Sequence, residues 1–125
     1  MSDNSRHQAE VQLASIKEML QAVENAADDD EREAAEQAIY DDPLAVDVRS
    51  GWVNVWAAEF EPVEYRVLLC TGGPAVQLEG ELDDRNQPYN VQLQHQDWFE
   101  DWQTLPLNKD DTETLLTYVR HFFPY

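Results

Sequence analysis

A chain of 125 residues has the size of one domain that can bury a usable core, and 42% apolar with 10% aromatic residues argues against complete disorder. The charge is the outlier: 26 acidic against 8 basic side chains give −18, which repels nucleic acid and anionic membranes and excludes phosphate-contacting DNA or RNA binding. One cysteine, Cys70, permits no internal disulfide and fits a cytoplasmic setting. Met1 to Glu10 is polar and does not read as a secretory leader. No apolar run approaches the roughly 20 residues that cross a bilayer.

Residues 1–43 form the most acidic stretch, with a net −9, and contain neither tryptophan nor glycine. Leu13, Ile16, Leu20, Val23 and Ala27 recur at spacings of three and four, the mark of one narrow helical stripe, with Asn4 or Ser5 as candidate cap. Asp28-Asp29-Asp30 interrupts that stripe. A second helix is expected over Glu31–Asp41, with Ala34, Ala35, Ala38 and Ile39 inward, and Pro43 ends it. The segment reads as an acidic helical hairpin.

From Leu44 the apolar period becomes two. Val46 and Val48 alternate with Asp47 and Arg49; after a Ser50-Gly51 turn, Val53 and Val55 alternate with Trp52, Asn54 and Trp56. Glu64–Cys70, Ala75–Leu82 and Tyr89–His95 continue the pattern, with Tyr65, Val67, Leu69, Val76, Leu78, Leu82, Tyr89, Val91, Leu93 and His95 inward. Thr71-Gly72-Gly73-Pro74 and Asp83 to Pro88 supply turn residues. Residues 44–108 therefore read as an antiparallel meander of about four to five strands with one polar face.

Residues 109–125 are helical again, with Leu115, Leu116, Val119, Phe122 and Phe123 at helical spacing, a cap at Asp111 or Thr112, and a stop at Pro124. The expected order is αα–ββ–βββ–α. Helices covering the apolar face of the sheet make a single α+β domain of two layers.

Three stretches carry a resemblance: Asp42 to Trp52 (DPLAVDVRSGW), Leu68 to Val76 (LLCTGGPAV) with Gly80 to Asp83 (GELD), and Gln96-Asp97-Trp98. From about Glu31 onward the chain resembles small uncharacterised proteins encoded on bacterial mobile elements such as plasmids and integrative elements. The resemblance implies a bacterial, intracellular protein and transfers no catalytic residue. Such elements often carry acidic proteins that blunt host defences, which by association suggests a DNA-mimic or antirestriction-like role.

No chemistry-bearing constellation stands out. Thr71 to Pro74 lacks the lysine and following helix of a phosphate loop and reads as a tight hairpin. Cys70, His95 and Asp97 invite a nucleophile–base–carboxylate reading, but nothing near Cys70 in sequence is cationic, and a small buried hydrophobe is the simpler role. His7, His95 and His121 lie far apart, and the carboxylates lack calcium-loop spacing. No catalytic, cofactor or metal residue is assigned, and a non-enzymatic protein is expected.

The acidic clusters and the aromatic residues are the candidates for a partner with a basic surface. They are Asp28, Asp29, Asp30 and Glu31, then Glu100 and Asp101, then Asp110 and Asp111, with Trp52 and Trp102 as interface anchors. Against this stand capping and solvation for the carboxylates, and core packing for aromatics such as Trp98, Phe99, Tyr118 and Tyr125. The alternative is an assembly module acting as a homo-oligomer, with a homodimer as its simplest form.

Overall fold

A computed structural model describes residues 2–57 and 61–123. Its order is α1 (Ser2–Glu24), α2 (Asp29–Asp41), β1 (Ala45–Ser50), β2 (Pro62–Cys70), β3 (Ala75–Glu81), β4 (Gln92–Gln96), β5 (Gln103–Thr104) and α3 (Lys109–Arg120). The strands form one antiparallel sheet in chain order, β1-β2-β3-β4-β5. Helix α1 lies against β3 and β4 and meets α2 and α3, so the helices share one face. This is an α+β fold with an N-terminal helix pair, a five-stranded meander and a C-terminal helix. Among the described residues no helix is long and apolar enough to cross a membrane.

The core follows the two periodicities. Ala9, Leu13 and Ile16 of α1, Ile39 of α2, and Leu115, Tyr118 and Val119 of α3 close over Tyr65, Val67, Val76, Leu78 and Leu93. Each fully buried aliphatic or aromatic side chain contributes about 1.5–3 kcal/mol relative to exposure. Among the described residues, every buried side-chain nitrogen or oxygen has a hydrogen-bond partner. Polar contacts help to hold the C-terminal helix: Tyr118 donates to Asp42 Oδ2 at 2.6 Å, and Arg120 Nε donates to the Pro88 carbonyl at 3.1 Å.

The structure departs from the sequence expectation at several places. Helix α1 begins at Ser2, so neither Asn4 nor Ser5 caps it; Ala9 and Ser5 instead extend the buried stripe by about two turns. Helix α2 begins at Asp29, and of its expected inner face Ile39 is buried while Ala34 and Ala38 face solvent. Residues 52–56 form no strand. Asn54 bends the chain there: its side chain accepts from Trp56 N and its carbonyl from Ala57 N, both at 2.9 Å. The fifth strand is Gln103–Thr104, paired with β4. Tyr89 is exposed and donates to Glu81, because β4 starts only at Gln92. Asn108, rather than Asp111 or Thr112, caps α3 by accepting from Asp111 N at 2.7 Å. Helix α3 ends at Arg120 with His121 as its cap, so Phe122 and Phe123, expected on the helix, follow it, and Pro124, expected as its stop, lies with Tyr125 outside the described residues.

Candidate functional site

One end of the sheet gathers three segments that are far apart in sequence. The β2–β3 turn (residues 71–74), the start of α1 and the β4–β5 turn (residues 97–102) meet there, because Cys70 pairs with Val76 and Ala75 with Gln96. In the first turn Gly72 has φ 101°, a conformation only glycine adopts without strain, and Gly73–Pro74 is a cis peptide. Trp98 lies directly on Gly73: a Cβ on that glycine would stand 1.8 Å from its Cδ1. Two of the motifs that carry the resemblance, TGGP and QDW, therefore form one contact.

The second turn presents aromatic side chains outward. Phe99 has φ 62° and is wholly exposed (102%), with Trp98 beside it at 66% and a ring-centroid distance of 6.0 Å. Trp102 is also exposed. Hydrogen bonds hold the loop in shape, from Glu100 N to the Asp97 carbonyl at 3.2 Å and from Gln96 Nε2 to the Glu100 carbonyl at 2.7 Å. A positive φ at an aromatic residue costs about 1–3 kcal/mol and is retained only where the surroundings impose it. Trp98, Phe99 and Trp102 thus place three exposed aromatic side chains on one short turn.

Beneath these rings a polar cluster joins the turn to α1. Ser5 Oγ and His95 Nδ1 are 2.8 Å apart, both nearly inaccessible, and Asp97 Oδ2 accepts from Ser5 N at 3.4 Å. Asp97 thus sets a carboxylate against the amino-terminal turn of α1, where the helix dipole favours negative charge. Burial, with Arg6 nearby, pushes the His95 pKa below its ordinary value, while Asp97, Glu10 and Glu100 pull the other way. The burial of His95 thus favours the uncharged form of its ring.

The Cys70–His95–Asp97 grouping does not assemble into a nucleophilic site. Cys70 and His95 lie on the helix side of the sheet with Val76 between them, but the thiol reaches the Pro74 carbonyl at 3.9 Å and His95 is engaged by Ser5. Burial pushes the Cys70 pKa up, away from the thiolate that a nucleophile requires. Among the described residues no group of three or more His, Cys, Asp or Glu side chains could hold a metal ion.

The acidic candidates separate into local roles and exposed ones. Asp28 accepts from Glu31 N and Glu31 accepts from Ala27 N, both at 2.8 Å, a reciprocal cap at the start of α2. Asp29 and Asp30 stand in the first turn of that helix. Asp111 meets Lys17 Nζ at 2.7 Å, and Asp110 lies beside it in the first turn of α3. Glu100 and Asp101 border the exposed aromatic rings. Trp52, fully exposed (105%), is at the diagonally opposite corner, since it follows Ser50, which pairs with Pro62 at the far end of the sheet. Trp102 and Trp52 are thus parts of two surfaces.

Sequence reasoning missed Ser5 as the partner of His95, and it left Trp98 and Phe99 in the core. The available signal for the rings was the break in period two after Gln96. No family model, curated protein or solved structure matches this chain.

Proposed function

We propose that this chain is a non-enzymatic acidic binding protein that takes a basic protein partner at the aromatic end of its sheet. Trp98, Phe99 and Trp102 are the anchors, and Glu100 and Asp101 guide the cationic partner. The observation that carries this reading is Phe99, wholly exposed at positive φ beside Trp98 on a turn held by hydrogen bonds. Aromatic anchors with an acidic rim desolvate well and recognise lysine- and arginine-rich surfaces. Host defence or DNA-processing proteins in the bacterial cytoplasm are the partner class suggested by the resemblance to mobile-element proteins.

Imitation of a phosphate row has less support than anchoring by these rings. The open face of the sheet carries Arg49 beside Glu64 at 2.6 Å and Arg66 beside Asp47 at 3.2 Å, so cations are interleaved with its carboxylates. Capture from bacterial lysate with the wild type and with Trp98→Ser/Phe99→Ser, at low and high salt, tests the reading. The expected partner is weakened by salt, through screening of exposed charge, and lost with the double substitution. Capture that is indifferent to the double substitution, with the fold intact by circular dichroism, would exclude this end as the binding site.

A further inference from the structure

The strand at the other edge of the sheet carries a second surface, and its chemistry fits a second copy of this chain. Among the described residues no strand pairs with the outer edge of β1, so its backbone groups on that side are free to accept another strand. Val46 and Val48 on its helix side are exposed, and they border a groove lined by Pro62, Leu82, Asn86, Phe122 and Phe123. Leu44 before the strand and Trp52 after it are exposed at 61% and 105%. Natural edge strands are commonly guarded by charged side chains, proline or a bulge; the charges of β1, Asp47 and Arg49, are of opposite sign and so can pair with each other across two copies. Here the register irregularity falls at Arg49/Ser50, at the end of the strand, and leaves 46–49 regular.

We propose that β1 pairs antiparallel with β1 of a second copy about a two-fold axis through Val48, joining two five-stranded sheets into one. The register is selected by charge. Side-chain alternation allows only pairings that keep the two faces apart. A two-fold through Asp47 would oppose Asp47 to itself, and one through Arg49 would oppose Arg49 to itself. A two-fold through Val48 sets Asp47 against Arg49 of the second copy, twice. On the helix side the same register brings Val48 against Val48 of the second copy, burying exposed apolar groups in a mutual contact.

The existing cross-strand pairs extend this complementarity. Asp47 pairs with Arg66 and Arg66 with Glu79, while Arg49 pairs with Glu64. Across the axis the row would run Glu79, Arg66, Asp47, Arg49, Glu64, alternating in sign over these five positions before Glu64 meets Glu81. The charged residues of β1 and β2 are Asp47, Arg49, Glu64 and Arg66, which sum to zero on a chain of net −18. A neutral, self-complementary edge on so acidic a molecule is where two copies can approach with least repulsion. The inference does not rest on the aromatic site, which lies at the opposite corner of the sheet.

Sedimentation equilibrium of the whole chain from low micromolar to sub-millimolar concentration is the test. The wild type is expected to dimerise more tightly as salt rises, because screening relieves the repulsion between two chains of −18. Asp47→Arg and Arg49→Asp, each alone, create like-charge pairs across the axis and are expected to weaken the dimer by about tenfold or more. An equimolar mixture of the two restores both opposite-charge pairs and is expected to dimerise as the wild type does. A monomeric wild type at high salt, or singly substituted chains that dimerise normally, overturns the proposal, as does a mixture that fails to recover. Should either charge variant fail to fold, Val48→Cys in a Cys70→Ala chain gives a second measurement. Oxidation should cross-link position 48 to itself, whereas Val46→Cys in the same chain should not cross-link; equal cross-linking of both would sink the register.

Discussion

Trp98 rests on Gly73 in a contact that leaves no room for a side chain: an added Cβ would lie 1.8 Å from Cδ1 and 2.0 Å from Nε1 of the indole. The glycine is therefore used as a flat seat for the ring that stands next to Phe99. Gly73→Ala is expected to expel the indole, altering tryptophan emission and near-ultraviolet dichroism. Because Trp98 is already largely exposed, stability should change by less than about 1 kcal/mol. Partner capture should weaken, since the Trp98–Phe99 arrangement is disturbed. Unchanged tryptophan spectra would show that the ring does not occupy this seat.

Gly80 is a different case, because its neighbours cannot move aside. A Cβ there would meet the Asn90 carbonyl oxygen at 2.2 Å and the Tyr65 hydroxyl at 2.7 Å. That hydroxyl already donates to the same carbonyl at 2.6 Å. Gly80→Ala is expected to cost about 1–3 kcal/mol in urea unfolding, the range for forcing extra volume into packed structure. A midpoint within error of the wild type would contradict the packing at this position.

Tyr118 and Asp42 tie the last helix to the end of α2 through a single hydrogen bond of 2.6 Å. Tyr118→Phe is expected to lose about 1–2 kcal/mol, the size of a bond to a charged acceptor that stays partly solvated. Burial pushes the pKa values of Tyr118 and Tyr65 well above the ordinary tyrosine value, with the Asp42 bond adding to the shift at Tyr118. Their protonated forms are thus favoured by folding, so that stability is complete below the unfolded tyrosine pKa of about 10 and falls as pH rises beyond it. Ultraviolet titration should find two tyrosines that do not ionise until the chain unfolds.

His95 gives the opposite sign on the acid side. Its folded pKa lies below the ordinary value of 6.5, mainly through burial, so folding favours the neutral ring. The associated stability is present above pH 6.5 and is lost as pH falls through the folded pKa. Arg6, Asp97, Glu10 and Glu100 all act on this group, so the comparison is best made with His95→Gln, which should flatten this part of the stability profile. Ser5→Ala leaves the imidazole without its 2.8 Å partner and is expected to cost about 1–2 kcal/mol at neutral pH.

The sequence by itself determined the helical hairpin, the antiparallel meander and the last helix. Leu13, Ile16, Tyr65, Val67, Leu78 and Leu93 sit at spacings that only one secondary structure can bury together, and each is buried. Where alternation misled, a short-range polar contact prevailed, as at Asn54, which turns the Trp52–Trp56 segment. Capping was half legible: Asp28 and Glu31 are typical cap residues, but the choice of Asn108 over its neighbours depends on how the chain enters α3.

The tertiary structure alone decided which aromatic residues face solvent and which polar groups meet. Tyr118 and Phe123 are buried while Trp98 and Phe99 are not, and no local pattern distinguishes them. Ser5 and His95 are 90 positions apart, and Gly73 and Trp98 are 25 apart, until sheet pairing closes both distances. The charges Asp47 and Arg49 were plain in the sequence, but their complementarity appears only once β1 is known to be an edge. Periodicity is written within a few residues of chain; exposure depends on what the rest of the chain leaves uncovered.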